Sequence, residues 1–238
     1  MAGPALVIFD CDGVLIDSEA LSASVFIAEL AHLGITIDLD YFTQHCLGRA
    51  FPTVRATLER DFSRSLPDTF EATFRTRLVE RFSTELVVVP GVIGVIKALE
   101  VPYHLATSSA PARLAQSLAI TGLDTLFDGR ASTASEVMRG KPAPDLFLHV
   151  AGIYGVSPEN CLVIEDSTVG IAGAKAAGMP VWRFLGGAHL AGLARAHALA
   201  PDDPVLRGGA DLAFRDFAQF DALLAQWPAP HSCTGEVS

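Results

Sequence analysis

Apolar and polar positions follow two rhythms along this chain. Residues 5–9 are a short apolar run rich in Val and Ile that ends at Asp10, the pattern of a buried strand. From Ser18 to about Gly34, Leu21, Val25, Leu30 and Leu33 recur at helical spacing, with Ser18 as the expected N-cap and Gly34 as the stop. Further helices are expected near 39–46, 51–62 and 67–82, and no strand pattern interrupts them. After Pro90 the elements alternate. Helices are expected at 92–99, 110–120, 145–154, 169–177, 190–199 and 217–226, and strands at 103–106, 161–164, 180–184 and 210–213, with a weaker one near 129–132.

This alternation predicts an α/β fold with a parallel sheet and helices on both faces. In such sheets ligands bind beyond the carboxyl ends of the strands. The helical block enters after only one strand, so residues 17–86 read as an inserted cap domain. Residues 1–16 and 87–227 then make one core. The last stretch, 228–238, carries two prolines and little apolar content and is expected to be a loose tail.

Composition narrows the function classes. Half of the 238 residues are hydrophobic and 18% are charged, which is a folding composition rather than a disordered one. A net charge of -10 disfavours nucleic acid as a partner. The longest apolar run, about 86–96, is broken by Pro90 and Gly91 and falls short of the roughly 18 residues of a membrane span. No positive charge precedes the first apolar run, so no signal peptide is indicated. Cys11, Cys46, Cys161 and Cys233 have neither zinc nor redox spacing, which fits a reducing cytoplasm. Oligomeric state leaves no mark here, and a monomer is compatible with the sequence.

Candidate chemistry gathers where strands are expected to end. Asp10 and Asp12 point to one side of a terminating strand, with Gly13 turning the backbone away. Crowded carboxylates gain nothing in a dry core, so a divalent cation or a reacting phosphate would account for them. Thr107, Ser108 and Ser109 end the next strand and could give donors to a phosphate or simply cap a helix. Lys141, one of three lysines in an arginine-rich chain, sits in the rigid loop Gly140-Lys141-Pro142-Ala143-Pro144. Glu165 and Asp166 end the apolar run Leu162-Val163-Ile164, and paired buried acids of this kind suit Mg2+.

The stretch from Asp10 to Asp17, an Asp-x-Asp-Gly-x-x-x-Asp pattern, resembles motif I of the haloacid dehalogenase superfamily. Thr107, the Gly-Lys-Pro-x-Pro loop and the Glu165-Asp166 pair match motifs II, III and IV in order, over about residues 5–180. The resemblance implies a Rossmann-like core with a helical cap, and a Mg2+-dependent phosphatase acting on a small phosphorylated metabolite such as a sugar or sugar-acid phosphate. It implies Asp10 as nucleophile and Asp12 as general acid and base; for that role Asp12 must be protonated when substrate binds, which crowding with Asp10 would favour. Mg2+ would be held by Asp10, the Asp12 carbonyl and Asp166, with Glu165 assisting directly or through water. Lys141, Thr107, Ser108, Ser109 and backbone amides near Cys11 and Ser108 would bind the phosphoryl group. Arg49 and Arg55 are candidate substrate readers in the cap, with a solvated helix face as the alternative for each.

Three other functions are weighed. β-Phosphoglucomutases carry a His where this chain has Ser22 and a cap Arg where it has Phe51. Dehalogenases typically lack the second motif I carboxylate, here Asp12. A phospho-accepting module has no use for a cap. The seven histidines receive no role, and Gly186-Gly187 reads as a turn.

Overall fold

The computed structural model describes residues 3–46, 49, 51–190 and 204–227. Leu6–Phe9 forms strand β1, and all four of its residues are buried. Helices α1 (Ser18–His32), α2 (Leu39–His45), α3 (Phe51–Phe62) and α4 (Phe70–Glu85) follow before the chain returns through α5 (Val92–Ala98). Then come β2 (Tyr103–Thr107), α6 (Pro111–Thr121), β3 (Ala131–Thr133), α7 (Asp145–Tyr154), β4 (Cys161–Glu165), α8 (Thr168–Ala176), β5 (Val181–Phe184), α9 (Pro204–Arg207), β6 (Leu212–Phe214) and α10 (Phe220–Leu224). The six strands are parallel in the order β3-β2-β1-β4-β5-β6.

Pairing on both sides and burial on both faces explain why β1 and β4 read as unbroken apolar runs rather than alternating ones. Leu6 and Ile8 join Phe147, Val150, Ile171 and Ala174 on the face covered by α7 and α8. Val7 and Phe9 join Leu105, Leu114, Ile164, Trp182 and Phe214 on the other. Because β1 pairs with β2 on one side and β4 on the other, the chain leaves it in opposite directions. A crevice at the strand ends follows from that reversal.

Helices α1–α4 build a separate apolar cluster from Phe26, Leu30, Phe42, Val54, Leu58 and Phe70. Phe26 meets Phe70 and Phe74 edge-on at 5.5 and 5.2 Å. The segments entering and leaving these helices are zipped together: Asp17 N donates to Val87 O at 3.0 Å and Val89 N to Leu15 O at 2.9 Å.

Among the helix boundaries that differ from expectation, two have a clear local cause. Helix α4 begins at Phe70 rather than Pro67, because Pro67 O accepts the Phe70 amide in a turn before it. Ser18 is the first helical residue and caps nothing; Asp17 holds the N-cap position, and the Ser18 hydroxyl turns to Asp12. The helix expected at 190–199 and the tail at 228–238 lie outside the described residues, apart from Leu190, which closes a short turn of 188–190. Among the described residues no helix is long and apolar enough to cross a membrane.

One buried polar group makes stability pH-dependent. His104 is enclosed between the Ser132 hydroxyl, 3.1 Å from Nε2, and the Tyr154 hydroxyl, 3.2 Å from Nδ1. Burial pushes its pKa down to about 4. A histidine with a depressed folded pKa favours folding fully above its unfolded value near 6.5, and loses that contribution as pH falls through 6.5 toward 4. Thermal stability should therefore decline across that window, by up to about 3 kcal/mol from this residue. The decline should flatten in His104→Gln, as measured by melting at half-unit pH steps.

Candidate active site

The carboxyl ends of β1, β2 and β4 are neighbours in the sheet, so their terminal residues converge without any long-range search. Asp10 follows β1, and its amide donates to Ile164 O at 2.9 Å. Thr107 ends β2 and Glu165 ends β4, with Asp166 one residue further. The loop before α7 brings Lys141 in from the β3 side. Its ammonium donates to Asp10 Oδ1 at 2.5 Å, to Glu165 Oε1 at 2.7 Å and to Ala106 O at 2.9 Å. Three protons thus meet three acceptors, and the Phe147 ring lies 5.0 Å from the nitrogen.

Burial alone would disfavour the charged Lys141, yet Asp10 and Glu165 raise its pKa above the ordinary lysine value. Burial, reinforced by Glu165 and Asp166, pushes the Asp10 carboxyl well up against the pull of Lys141. Asp166 is pushed up in the same way, by burial and then by Glu165. Asp10, Glu165 and Asp166 each offer an oxygen within 4.8 Å of the others. Three buried carboxylates, only two of them in contact with the Lys141 ammonium, leave a local excess of negative charge, which fits a divalent cation.

Glu165 itself is tied from behind. Its Oε2 accepts from the amides of Asp166 and Ser167, both at 3.0 Å, and from the Ser167 hydroxyl at 2.9 Å. Helix α8 starts directly against it, and a Cβ at Gly170 would lie 1.7 Å from Oε1, so only glycine fits there. With both oxygens engaged, Glu165 is built to hold Lys141 and the Asp166 backbone in place.

Asp12 is directed elsewhere. Its carboxylate accepts from Ser18 Oγ at 2.5 Å, Ser109 Oγ at 2.6 Å and Arg113 Nη2 at 2.9 Å. Burial would raise its pKa, but Arg113, Ser109 and Ser18 together bring it below the ordinary carboxylate value. In the free enzyme the protonated Asp12 that crowding with Asp10 was expected to favour is not found, because its three donors outweigh the penalty of burial. Ser109 is correspondingly reassigned, because its hydroxyl serves Asp12. The Ser109 amide donates to Thr107 Oγ1 at 3.0 Å, leaving the buried Thr107 hydroxyl its own proton to give. Ser108 is exposed beside it, and Cys11 is buried between the two motif I acids.

The two cap arginines have different fates. Arg55 donates to Leu66 O and Pro67 O, each at 2.8 Å, and fastens the α3–α4 connection; its donors are used inside the helical unit, not offered to a ligand. Arg49 is exposed and donates to Gln44 O at 3.1 Å.

Arg113, Glu19 and His189 belong to this neighbourhood and escaped sequence reasoning. Arg113, from α6, also lies over the Phe82 ring of α4 at 5.4 Å, joining the core to the helical unit. Glu19 is pushed up to about 7 by burial and then by Asp12 and Asp166. His189 Nε2 is 3.0 Å from Asp166 Oδ2. The Ser-Glu that follows Asp17 could have flagged Glu19, but nothing in the spacing of Arg113 or His189 marks them.

A six-stranded parallel sheet with acids, a hydroxyl and a lysine converging at its strand ends is an α/β fold whose site suits phosphoryl chemistry. The chain belongs to the haloacid dehalogenase-like hydrolases, whose family model matches residues 4–178. It is 26% identical over 184 residues to the 6-phosphogluconate phosphatase of Escherichia coli, covering 77% of this chain and 83% of that one. It is 31% identical over 175 residues to the fructose-1-phosphate phosphatase YqaB of the same organism, covering 73% and 92%. Among solved structures it resembles a conserved haloacid dehalogenase-like protein from Agrobacterium tumefaciens, with a TM-score of 0.83 and 31% identity over 94% of this chain and 99% of that one.

Proposed function

We propose that this enzyme hydrolyses the phosphate monoester of a small sugar or sugar acid. The observation that carries the reading is the buried contact of Asp10 with Lys141 beside Asp166, at the end of the central strand. Asp10 attacks phosphorus and becomes an aspartyl-phosphate while the ester oxygen leaves; water then attacks that phosphorus and frees Asp10. Asp12 gives its proton to the leaving oxygen and takes one back from the water. Because its carboxyl is held low in the free enzyme, it must gain that proton as substrate displaces its present donors. Lys141 and the Thr107 hydroxyl neutralise the phosphoryl oxygens. Asp10, Asp166 and the Asp12 carbonyl would hold Mg2+, with Glu165 behind them. The ion when bound supplies charge stabilisation to the transferring group. Residues 17–86 act as a cap that closes over the crevice and excludes water.

The kinship to phosphatases of a sugar acid phosphate and a sugar phosphate supports the substrate class. The mutase alternative is disfavoured by packing. Phe51, standing where mutases have their cap arginine, stacks on Phe70 at 6.0 Å inside the helical unit, and Ser22 is buried. A panel of sugar, sugar-acid and nucleotide monoesters assayed with and without Mg2+ tests the reading. Phosphate release confined to Mg2+-containing reactions is expected; no release from any ester would overturn it.

Arg113 gives a test of the Asp12 role. Removing a cation from beside a carboxylate raises its pKa, by about one unit or more for a close partner. In Arg113→Met the limb of the kcat/KM profile that reports Asp12 should move to higher pH by about that amount. An unmoved limb would detach Asp12 from the titration that governs the rate.

A further inference from the structure

The turn after β5 reaches back across the strand ends to touch two parts of the site. The Ala188 amide donates to Asp17 Oδ1 at 3.2 Å, fixing the turn to the end of the first motif. One residue on, the His189 side chain is 2% exposed, and its Nε2 stands 3.0 Å from Asp166 Oδ2. At this distance the Nε2–H tautomer of the imidazole is placed to donate to Asp166 Oδ2 when that carboxylate is ionised. Nδ1 is buried and has no hydrogen-bond partner among the described residues. Among the described residues the imidazole has no polar contact other than Asp166.

Space for this pair has been cleared by glycine on two sides. A Cβ at Gly13, where φ is +82°, would lie 2.0 Å from Asp166 Oδ2 and 2.9 Å from His189 Cε1. A Cβ at Gly187 would lie 2.8 Å from both Cε1 and Nδ1 of the ring. A histidine that only filled a core position would need neither vacancy nor a carboxylate at its tip. Arg183, from β5, holds the same acid from the backbone side, donating from Nε to Asp166 O at 2.9 Å. Asp166 is thereby gripped at its carbonyl by one residue of this segment and at one carboxylate oxygen by another.

We propose that His189 is a positioning residue for the divalent-cation site: its Nε2–H occupies Asp166 Oδ2 and fixes the carboxylate so that the second oxygen faces the cation. The proposal rests on the reading of Asp10 and Asp166 as cation ligands and adds to it a third loop, the one following β5. Orienting partners of this kind are typically worth 10–100-fold in metal affinity.

The test is calorimetric titration of the substrate-free chain with Mg2+ alone, comparing wild type with His189→Ala, His189→Leu and His189→Gln. The alanine and leucine variants should bind Mg2+ 10–100-fold more weakly. The leucine keeps the volume without the donor, and it serves where the alanine variant fails to fold. Glutamine places an amide N–H near the Nε2 position and should recover most of the affinity. Wild-type affinity in the leucine variant would overturn the proposal, as would a glutamine variant no better than leucine. A wild-type chain that takes up no Mg2+ would overturn the cation site itself, and this inference with it.

Discussion

Asp10→Asn should eliminate turnover, lowering kcat by about 10⁴-fold or more. The amide is nearly isosteric and can still accept from Lys141, so the loss would come from nucleophilicity alone. The direct check is a rapid acid quench with a radiolabelled ester: wild type should carry covalent label and the variant none. A variant with near-normal kcat would remove Asp10 as nucleophile. Stability should move the other way. The Asp10 carboxyl is pushed up by burial and by Glu165 and Asp166, so its charged form costs the folded state free energy at neutral pH. A carboxyl whose folded pKa lies above its unfolded value lowers stability as pH rises between the two. Near pH 7 and with chelator present, Asp10→Asn should melt at a higher temperature than wild type. That gain should shrink when Mg2+ is added, because the cation offsets the same repulsion in wild type alone.

Lys141→Ala is expected to damage both activity and stability. The ammonium is the one cationic group in direct contact with Asp10 and Glu165 among the described residues, and its three protons are all placed. Removing it should lower kcat by about 10³-fold, as when a preorganised donor to a developing oxyanion is lost. It also strands buried carboxylates without their partner, which costs on the order of 3–5 kcal/mol. That cost should be greatest above neutrality. It should recede as pH falls and Asp10 and Asp166, already raised, take up protons. Urea denaturation in chelator at pH 7.5 and pH 5.5 measures the difference; equal losses at both would show that the ammonium does not stabilise those carboxylates. Lys141→Arg should not rescue turnover. A flat guanidinium cannot direct three protons toward Asp10, Glu165 and the Ala106 carbonyl as the pyramidal ammonium does.

Legibility differed sharply between the parts of the site. Asp10, Thr107 and Glu165 were readable because each ends an apolar run, and a parallel sheet carries the ends of its neighbouring strands to one edge. Lys141 was readable from its rarity and its proline-flanked loop. Arg113 and His189 were not, because they reach the site from the first turn of a helix and from a short turn, where no periodicity links them to the acids. Arg55 misled for the complementary reason: an arginine on a helix looks available until the carbonyls of Leu66 and Pro67 are seen to occupy it.

The protonation of Asp12 shows the same limit. Its nearness to Asp10 along the chain suggested mutual repulsion, but ionisation answers to every charge and donor within a few ångströms. Arg113, Ser109 and Ser18, the first two about a hundred residues from Asp12 along the chain, set it low instead.

The sequence by itself determined the layered α/β plan, the insertion of a helical block after the first strand and the identity of the acids at the strand ends. These follow from local periodicity and from the intolerance of apolar strands for unpaired charge. Only the tertiary structure decided which groups face those acids: His189 against Asp166, Arg113 against Asp12 and Lys141 between Asp10 and Glu165. Such pairings depend on how distant loops fold over a common edge, and electrostatic interaction follows separation in space rather than along the chain.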